Sequence, residues 1–77
     1  MNKEKTYYQA TIKFMVNKNE ELKGWMYCES PNTFYETYDE CLDSVKIEIA
    51  RRIKTDQPVT AYRIIKVTKE EIERIRL

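Results

Sequence analysis

The amino-acid sequence predicts a small α+β domain of ββαβα order. Its expected architecture is a three-stranded sheet of order 2-1-3, one main helix on one face and a short C-terminal helix. Three observations predict it: side chains alternate with period two over residues 6–16, apolar residues recur at helical spacing over 38–54, and alternation returns over 59–67. A chain of 77 residues allows one domain, 1–77, with a thin core.

The first predicted strand covers residues 6–16, where two sets of side chains must point to opposite sides of a sheet. The set expected to pack under the helix is Tyr8, Ala10, Ile12, Phe14 and Val16. The opposite set, on what we term the second face, is Tyr7, Gln9, Thr11, Lys13 and Met15. A polar stretch, 17–24, ends in the sole glycine, and 25–29 then predicts the returning strand of a hairpin.

The main helix is predicted from Thr37, as N-cap, to about Lys54. Thr37 and Glu40 match the capping box, in which a threonine is followed three residues later by a glutamate. Acidic residues come early in the segment and basic residues late, which complements the helix dipole. The stripe expected to face the sheet is Tyr38, Cys41, Leu42, Val45, Ile49 and Ile53.

After a break at Pro58, Val59 to Val67 predicts the third strand. A right-handed crossover over the helix places this strand beside the first one, which becomes the centre of the sheet. A second capping-box pattern, Thr68–Glu71, predicts a short C-terminal helix carrying Ile72 and Ile75.

Composition argues against an enzyme and predicts neither cofactor nor metal. The chain has no histidine, the commonest general base and metal ligand, and one glycine, so it lacks a glycine-rich phosphate loop. Cys28 and Cys41 have no histidine to activate them, and two thiols are too few for a zinc site. The paired acidic residues fall in a turn and at predicted helix starts, where carboxylates stabilise the helix end.

The charges nearly cancel, with 14 basic and 13 acidic residues, so no overall field attracts nucleic acid. The sequence has no apolar run near 18 residues and no apolar leader after Met1, so we expect neither a transmembrane helix nor a signal peptide. Cys28 and Cys41 are expected to be reduced, which predicts a cytoplasmic protein.

The second face is the main candidate site, because aromatic side chains on an open sheet face favour binding. The predicted partner-binding residues are Tyr7, Lys13, Met15, Trp25, Tyr27 and Tyr62. On the returning strand, alternation allows either Trp25 and Tyr27 or Met26 and Cys28 to point away from the helix. Three uses remain open: a cover of the C-terminal helix, contact with another protein or a second copy, and stacking of single-stranded bases.

Two further surfaces are predicted on the main helix. Ile47 lies opposite the inward stripe and, with Arg51, is a possible second interface. Arg51, Arg52 and Lys54 are a possible anion-binding cluster, although basic residues at a helix end commonly serve the helix dipole. The third strand is expected at a sheet edge, where its backbone could join a second chain as a homodimer.

Three stretches carry a resemblance: the aromatic hairpin Trp25-Met26-Tyr27, the helix start Thr37–Cys41, and the closing strand Tyr62–Thr68. In these the chain resembles small phage proteins of low-GC bacteria. The resemblance implies binding and inhibition of a host enzyme or an anti-defence role. The strand order also resembles HicB-like antitoxin domains, but without their glycine-rich strand turn.

The sequence therefore predicts a non-enzymatic binding protein, an inhibitor or adaptor of a host protein, encoded by a phage or mobile element and acting by protein–protein contact. One alternative is a nucleic-acid-binding module that uses the aromatic sheet face. The other is an oligomeric protein that sequesters a small anionic, nucleotide-like ligand.

Overall fold

The computed structural model describes residues 3–71, 73, 75 and 76, which form an α+β fold with one helix and an antiparallel sheet. In chain order the elements are β1 (Lys3–Asn17), β2 (Glu20–Glu21), β3 (Met26–Tyr27), α1 (Tyr38–Lys54) and β4 (Val59–Glu71). No helix in this described part of the chain has the length and apolar character needed to cross a bilayer.

β1 is the central strand, as the crossover argument predicts. Along one edge it pairs antiparallel with β4, from Lys3 opposite Glu71 to Phe14 opposite Val59. Along the other edge it pairs antiparallel with β2 and then with β3. The long β1–β4 ribbon gives the molecule extents of 52 × 23 × 22 Å.

The predicted returning strand at 25–29 is shorter than expected. The chain reverses at once after β1, because the Asn17 side chain accepts from the Asn19 amide at 2.9 Å, and pairing resumes in β2. Pairing is interrupted before β3 and again at 29–34, where Pro31 cannot donate to a ladder. The edge is resumed at Tyr35, which exchanges two backbone hydrogen bonds with Tyr8 at 2.7 and 2.8 Å.

The predicted helix start at Thr68 is wrong, because residues 68–71 continue β4. β1 begins at Lys3, earlier than the alternation alone indicates, so its first residues provide ladder partners for the end of β4. Thr68 lies opposite Thr6 in this ladder and is not an N-cap. Ile75 is exposed and outside regular structure, whereas the predicted helix residues Ile72 and Leu77 lie outside the described residues.

The predicted helix and its cap are confirmed: the Thr37 hydroxyl accepts from the Glu40 amide at 3.2 Å. The buried apolar core joins this helix to one face of β1. Its members are Ala10, Ile12, Phe14, Cys41 and Val45.

The stripe of α1 that faces the sheet differs from the predicted one near its C-terminal end. Ile53 is 64% exposed and Glu48 is buried, whereas Tyr38, although 47% exposed, packs its ring edge to face on Tyr8 with centres 6.1 Å apart. Beside Ile53, the Arg52 guanidinium stacks 3.7 Å from the centre of the Phe14 ring. The inward positions therefore run through Cys41, Val45, Glu48 and Arg52, four positions that share one side of the helix.

Candidate functional site on the second face of the sheet

The pairing of β1 with β4 and β3 determines which residues share the second face. Arg63 lies opposite Thr11, Ile65 opposite Gln9, and Val67 opposite Tyr7. Directly opposed residues in an antiparallel ladder point to the same side, so these side chains join the second face. On the other edge Tyr27 lies opposite Thr11 and joins them.

A tryptophan lies beneath two cations at the centre of this face. Trp25 is 38% exposed, and its ring lies 4.5 Å from the Arg63 guanidinium carbon and 5.5 Å from Lys13 Nζ. Arg63 Nε also donates to the Thr11 hydroxyl at 3.3 Å. Positive groups over an indole ring are attracted by its electron-rich face, so this group is held in place before any partner arrives.

A second cluster of the same kind lies further along the ribbon. Lys69 Nζ lies 3.6 Å from the centre of the Phe34 ring and 5.6 Å from that of Tyr7. The Tyr7 and Phe34 rings meet edge to face, with centres 6.2 Å apart. The second face therefore repeats one motif, a cation over an aromatic ring, at two places along one strand pair.

Beneath these clusters two polar side chains of β1 are buried. Gln9 is 8% and Thr11 3% exposed, and Gln9 Nε2 donates to the Pro31 carbonyl at 3.0 Å. The 29–34 segment, Trp25 and Arg63 thus cover part of the second face. The sequence had offered the C-terminal helix as one candidate for this cover. The polar groups it covers are paired, as buried polar groups must be.

The structure brings together most of the predicted partner-binding residues. Tyr7, Lys13, Met15, Trp25 and Tyr27 belong to the second face. Tyr62 does not, because it lies opposite Ile12 and therefore points to the helix-covered face. The sequence shows that β4 alternates, but the register with β1, including the bulge beside Lys13, decides which alternate set goes to which side.

Sequence reasoning missed three members of the site: Arg63, Lys69 and Phe34. Arg63 and Lys69 are both odd-numbered residues of β4, so alternation predicts that they share a face. Only the register of β4 with β1 shows which face it is. Phe34 lies in an irregular segment, where side-chain direction follows no period. No signal in the sequence could have placed it.

The two cation–aromatic clusters of the second face are positively charged, and Glu21, opposite Met15, lies on the same face outside them. Among the described residues, no carboxylate lies within 4.0 Å of the cationic groups of Lys13, Arg63 or Lys69. Of the ion pairs in the described chain, that of Glu48 with two arginines lies on the helix-covered side, whereas Lys5, opposite Lys69 on the second face, lies 4.0 Å from Glu36. An incoming carboxylate or phosphate would therefore meet, at Lys13, Arg63 and Lys69, cations with no ion-pair partner within 4.0 Å among the described residues.

The predicted anion cluster at the end of α1 has a different role. Arg51 and Arg52 both donate to the buried Glu48 carboxylate, at 2.9 and 2.8 Å. Arg52 is further held by its stacking on Phe14. Two of the three cations predicted to bind an anion therefore already bind one inside the fold, and Lys54 alone has no such partner among the described residues.

Ile47 and Arg51, the predicted second interface, line a cleft of about 150 Å³ between α1 and the segment that follows β3. Ile47 is 59% exposed at this cleft. The other lining residues are Cys28, Glu29, Tyr35, Glu40, Asp43, Ser44 and Glu48.

The pKa values of the two thiols, of which Cys28 lines this cleft, favour the unreactive protonated form. Burial, followed by the charge of Glu48, raises the pKa of the Cys28 thiol to about 11, and burial also raises the pKa of Cys41. Burial likewise raises the pKa of Tyr35, whose hydroxyl has no hydrogen-bond partner within the described residues. Both cysteines are free, and at neutral pH each is a protonated thiol and a weak nucleophile.

Within the described residues, no three cysteine, aspartate or glutamate side chains converge as a metal site would require. Comparison with protein-family models, with curated proteins and with solved structures finds no match to this chain. The geometry of the second face is therefore the basis on which a function can be argued.

Proposed function

We propose that this chain is a non-enzymatic binding protein that contacts an acidic surface of another protein through its second face. One observation carries the proposal. Trp25 is exposed on a sheet face and lies beneath Arg63 and Lys13, for which the described chain supplies no carboxylate within 4.0 Å.

Residue type supports a protein partner. Tryptophan, tyrosine and arginine carry most of the binding energy at protein interfaces, and here Trp25, Tyr27 and Arg63 lie on one face. Both aromatic residues are exposed, at 38% and 40%. Stacking and the hydrogen bond to Thr11 hold the guanidinium in place, so less conformational freedom is lost when a partner binds.

Charge supports an acidic partner. Lys13, Arg63 and Lys69 lie along the same face, and a complementary row of carboxylates would speed association and fix the orientation of the complex. Each cation could bind a carboxylate without losing its stacking contact, because the ring occupies one side of the group only.

Single-stranded nucleic acid is a second candidate, favoured by a specific observation. Cations alternate with aromatic rings at two places, Arg63 with Trp25 and Lys69 with Phe34. Proteins that bind single strands without sequence preference combine the same two elements, base stacking and backbone charge. Their affinity falls steeply with salt, and because contact with an acidic protein would also weaken with salt, nuclease sensitivity separates the two candidates.

The proposal also includes the finer expectations drawn from the sequence: an inhibitor or adaptor of a host protein, encoded by a phage or mobile element and acting in the cytoplasm. The two free thiols, Cys28 and Cys41, suit a reducing compartment. The resemblance to small phage proteins supports the expectations of a phage or mobile-element origin and of an inhibitor or adaptor role.

The test pairs two exposed aromatic residues on different surfaces. Trp25→Ala removes the centre of the second face, whereas Tyr38→Ala removes a residue of similar exposure at the start of α1. A photoreactive amino acid in place of Tyr27 identifies what the second face touches in extract of the source cell. Circular dichroism of each variant confirms that the fold is retained.

We expect a crosslink from position 27 to one protein, lost in Trp25→Ala and kept in Tyr38→Ala. Equal capture by Trp25→Ala and the unaltered chain would show that the second face is not the contact. If nuclease treatment abolishes capture and an oligonucleotide binds directly with a steep salt dependence, the partner is nucleic acid and the protein-partner proposal fails.

A further inference from the structure

From the outer edge of β4 we infer that this strand pairs antiparallel with β4 of a second copy, so that two sheets join into one. β4 has 13 residues with no internal proline, well above the usual strand length of about 5 to 6. Among the described residues it pairs on one edge only, with β1. Natural edges of this length are ordinarily covered, broken or paired.

The hydrogen bonds of β1 show which backbone groups of β4 face outwards. Three even-numbered residues of β1 make their backbone hydrogen bonds on the edge away from β4: Tyr8 with Tyr35, Ala10 with Cys28, and Phe14 with Leu22. Neighbouring residues of a strand alternate, so the odd-numbered residues of β1 bond to β4. Their partners across the ladder include Arg63, Ile65 and Val67. The outward backbone groups therefore belong to the even-numbered residues, Tyr62, Ile64, Lys66 and Thr68.

Apolar surface lies on the side where two joined copies would meet. A two-fold axis perpendicular to the sheet places both α1 helices on the same face. Tyr62 belongs to that face and is 48% exposed. Ile64, half-buried against the core of its own chain, is the residue of the outer edge nearest that core. Pairing the edges would remove apolar surface from water in addition to satisfying the backbone.

The inferred register has its two-fold axis at Ile64, and charge is compatible with it. With the two-fold axis at Ile64, Tyr62 lies opposite Lys66 of the second copy, Arg63 opposite Ile65, and no like charges face each other. An axis moved two residues, to Lys66, would place the two copies of that lysine directly opposite each other, which is unfavourable. The Ile64-centred register instead sets a tyrosine ring beside a lysine twice in each dimer.

The test uses charge at position 62, which is half exposed and so tolerates polar residues. Tyr62→Lys opposes Lys66 at two symmetric places and should weaken dimerisation roughly 10-fold. Tyr62→Glu faces the same lysine and should dimerise as the unaltered chain does. Combining Tyr62→Lys with Lys66→Glu should restore the dimer. Sedimentation equilibrium measures each association constant, and circular dichroism confirms the fold.

Amide hydrogen exchange locates the interface. In the dimer the amides of Tyr62, Ile64, Lys66 and Thr68 should be protected, and on dilution they should exchange faster than those of Arg63, Ile65 and Val67. A chain that stays monomeric at millimolar concentration overturns the inference, and so does a dimer in which the even-numbered amides exchange rapidly. Neither outcome affects the proposed use of the second face, which the Trp25 variant tests separately.

Discussion

The two faces of the sheet are built on the same strand by different means. On the helix-covered face, Ile12 and Val45 are fully buried and apolar side chains fill the space between β1 and α1. On the second face, the buried side chains are Gln9 and Thr11, and the cover consists of Trp25 and Arg63. The first arrangement excludes water by close packing, whereas the second uses stacking and hydrogen bonds.

The difference indicates how the molecule divides stability from binding. Close packing stabilises by several kcal/mol per buried side chain and tolerates little change. Cation–aromatic stacking at an exposed site contributes about 0.5 to 1 kcal/mol, so it can be rearranged around a partner at little cost. A chain this small can therefore offer the exposed aromatic and cationic side chains of its second face because the other face carries most of its stability.

The largest expected effect separates two adjacent residues of β1. Ile12→Ala should lower the free energy of unfolding by about 4 kcal/mol, because it leaves a cavity against α1. Thr11→Val keeps the volume on the second face and removes the hydroxyl that accepts from Arg63, so it should cost about 1 kcal/mol. Urea unfolding followed by circular dichroism measures both. Equal losses in the two variants would show that the faces contribute alike.

The next effect concerns Glu48, a carboxylate buried on the helix-covered side. Glu48→Ala leaves Arg52, whose side chain is 13% exposed, without its partner, and should lower the free energy of unfolding by about 3 kcal/mol. Asp43→Ala, an exposed acidic residue on the same helix, is the control and should change stability by about 0.5 kcal/mol or less. Similar values for the two variants would mean that the Glu48 pairs contribute nothing to the fold.

The smallest expected effect is a gradual loss of folding stability at alkaline pH, caused by ionisation of the Cys28 thiol. Because the folded chain raises the pKa of Cys28 from 9.0 to about 11, the unfolded chain releases this proton first. The stability contributed by the neutral thiol is complete below pH 9 and is lost as the pH rises towards 11. Unfolding midpoints across this range should fall less in Cys28→Ala than in the unaltered chain. Parallel curves for the two proteins would contradict the assignment.

Much of the fold follows from local pattern. Three features could be predicted from the sequence: the alternation of β1, the capping box at Thr37 and the central place of the first strand. They depend on side-chain period, cap chemistry and crossover handedness respectively. The conformation at the end of β4 could not be predicted. Thr68–Glu71 fits a helix start locally, but pairing with the first residues of β1 decides its conformation, and such pairing has no local signature.

The site was predictable in part for the same reason. Lys13 could be assigned to the second face because it belongs to the alternating first strand, whereas Trp25 needed the pairing of β3 with β1 to decide its face. Tyr62 was misplaced because a register cannot be deduced from one strand, and a shift of one residue reverses every side chain. Glu48 was missed because a glutamate on an inward stripe contradicts hydropathy, although Arg51 and Arg52, three and four residues later, were the available signal.

The position of Trp25 has a practical consequence. It is the sole tryptophan of the chain, and it lies at the surface under two cations. The ultraviolet emission of the natural polypeptide therefore originates mainly from the place where a partner is proposed to dock. Any molecule that displaces Arg63 or shields the indole should alter that emission, so complex formation is observable without attaching a dye.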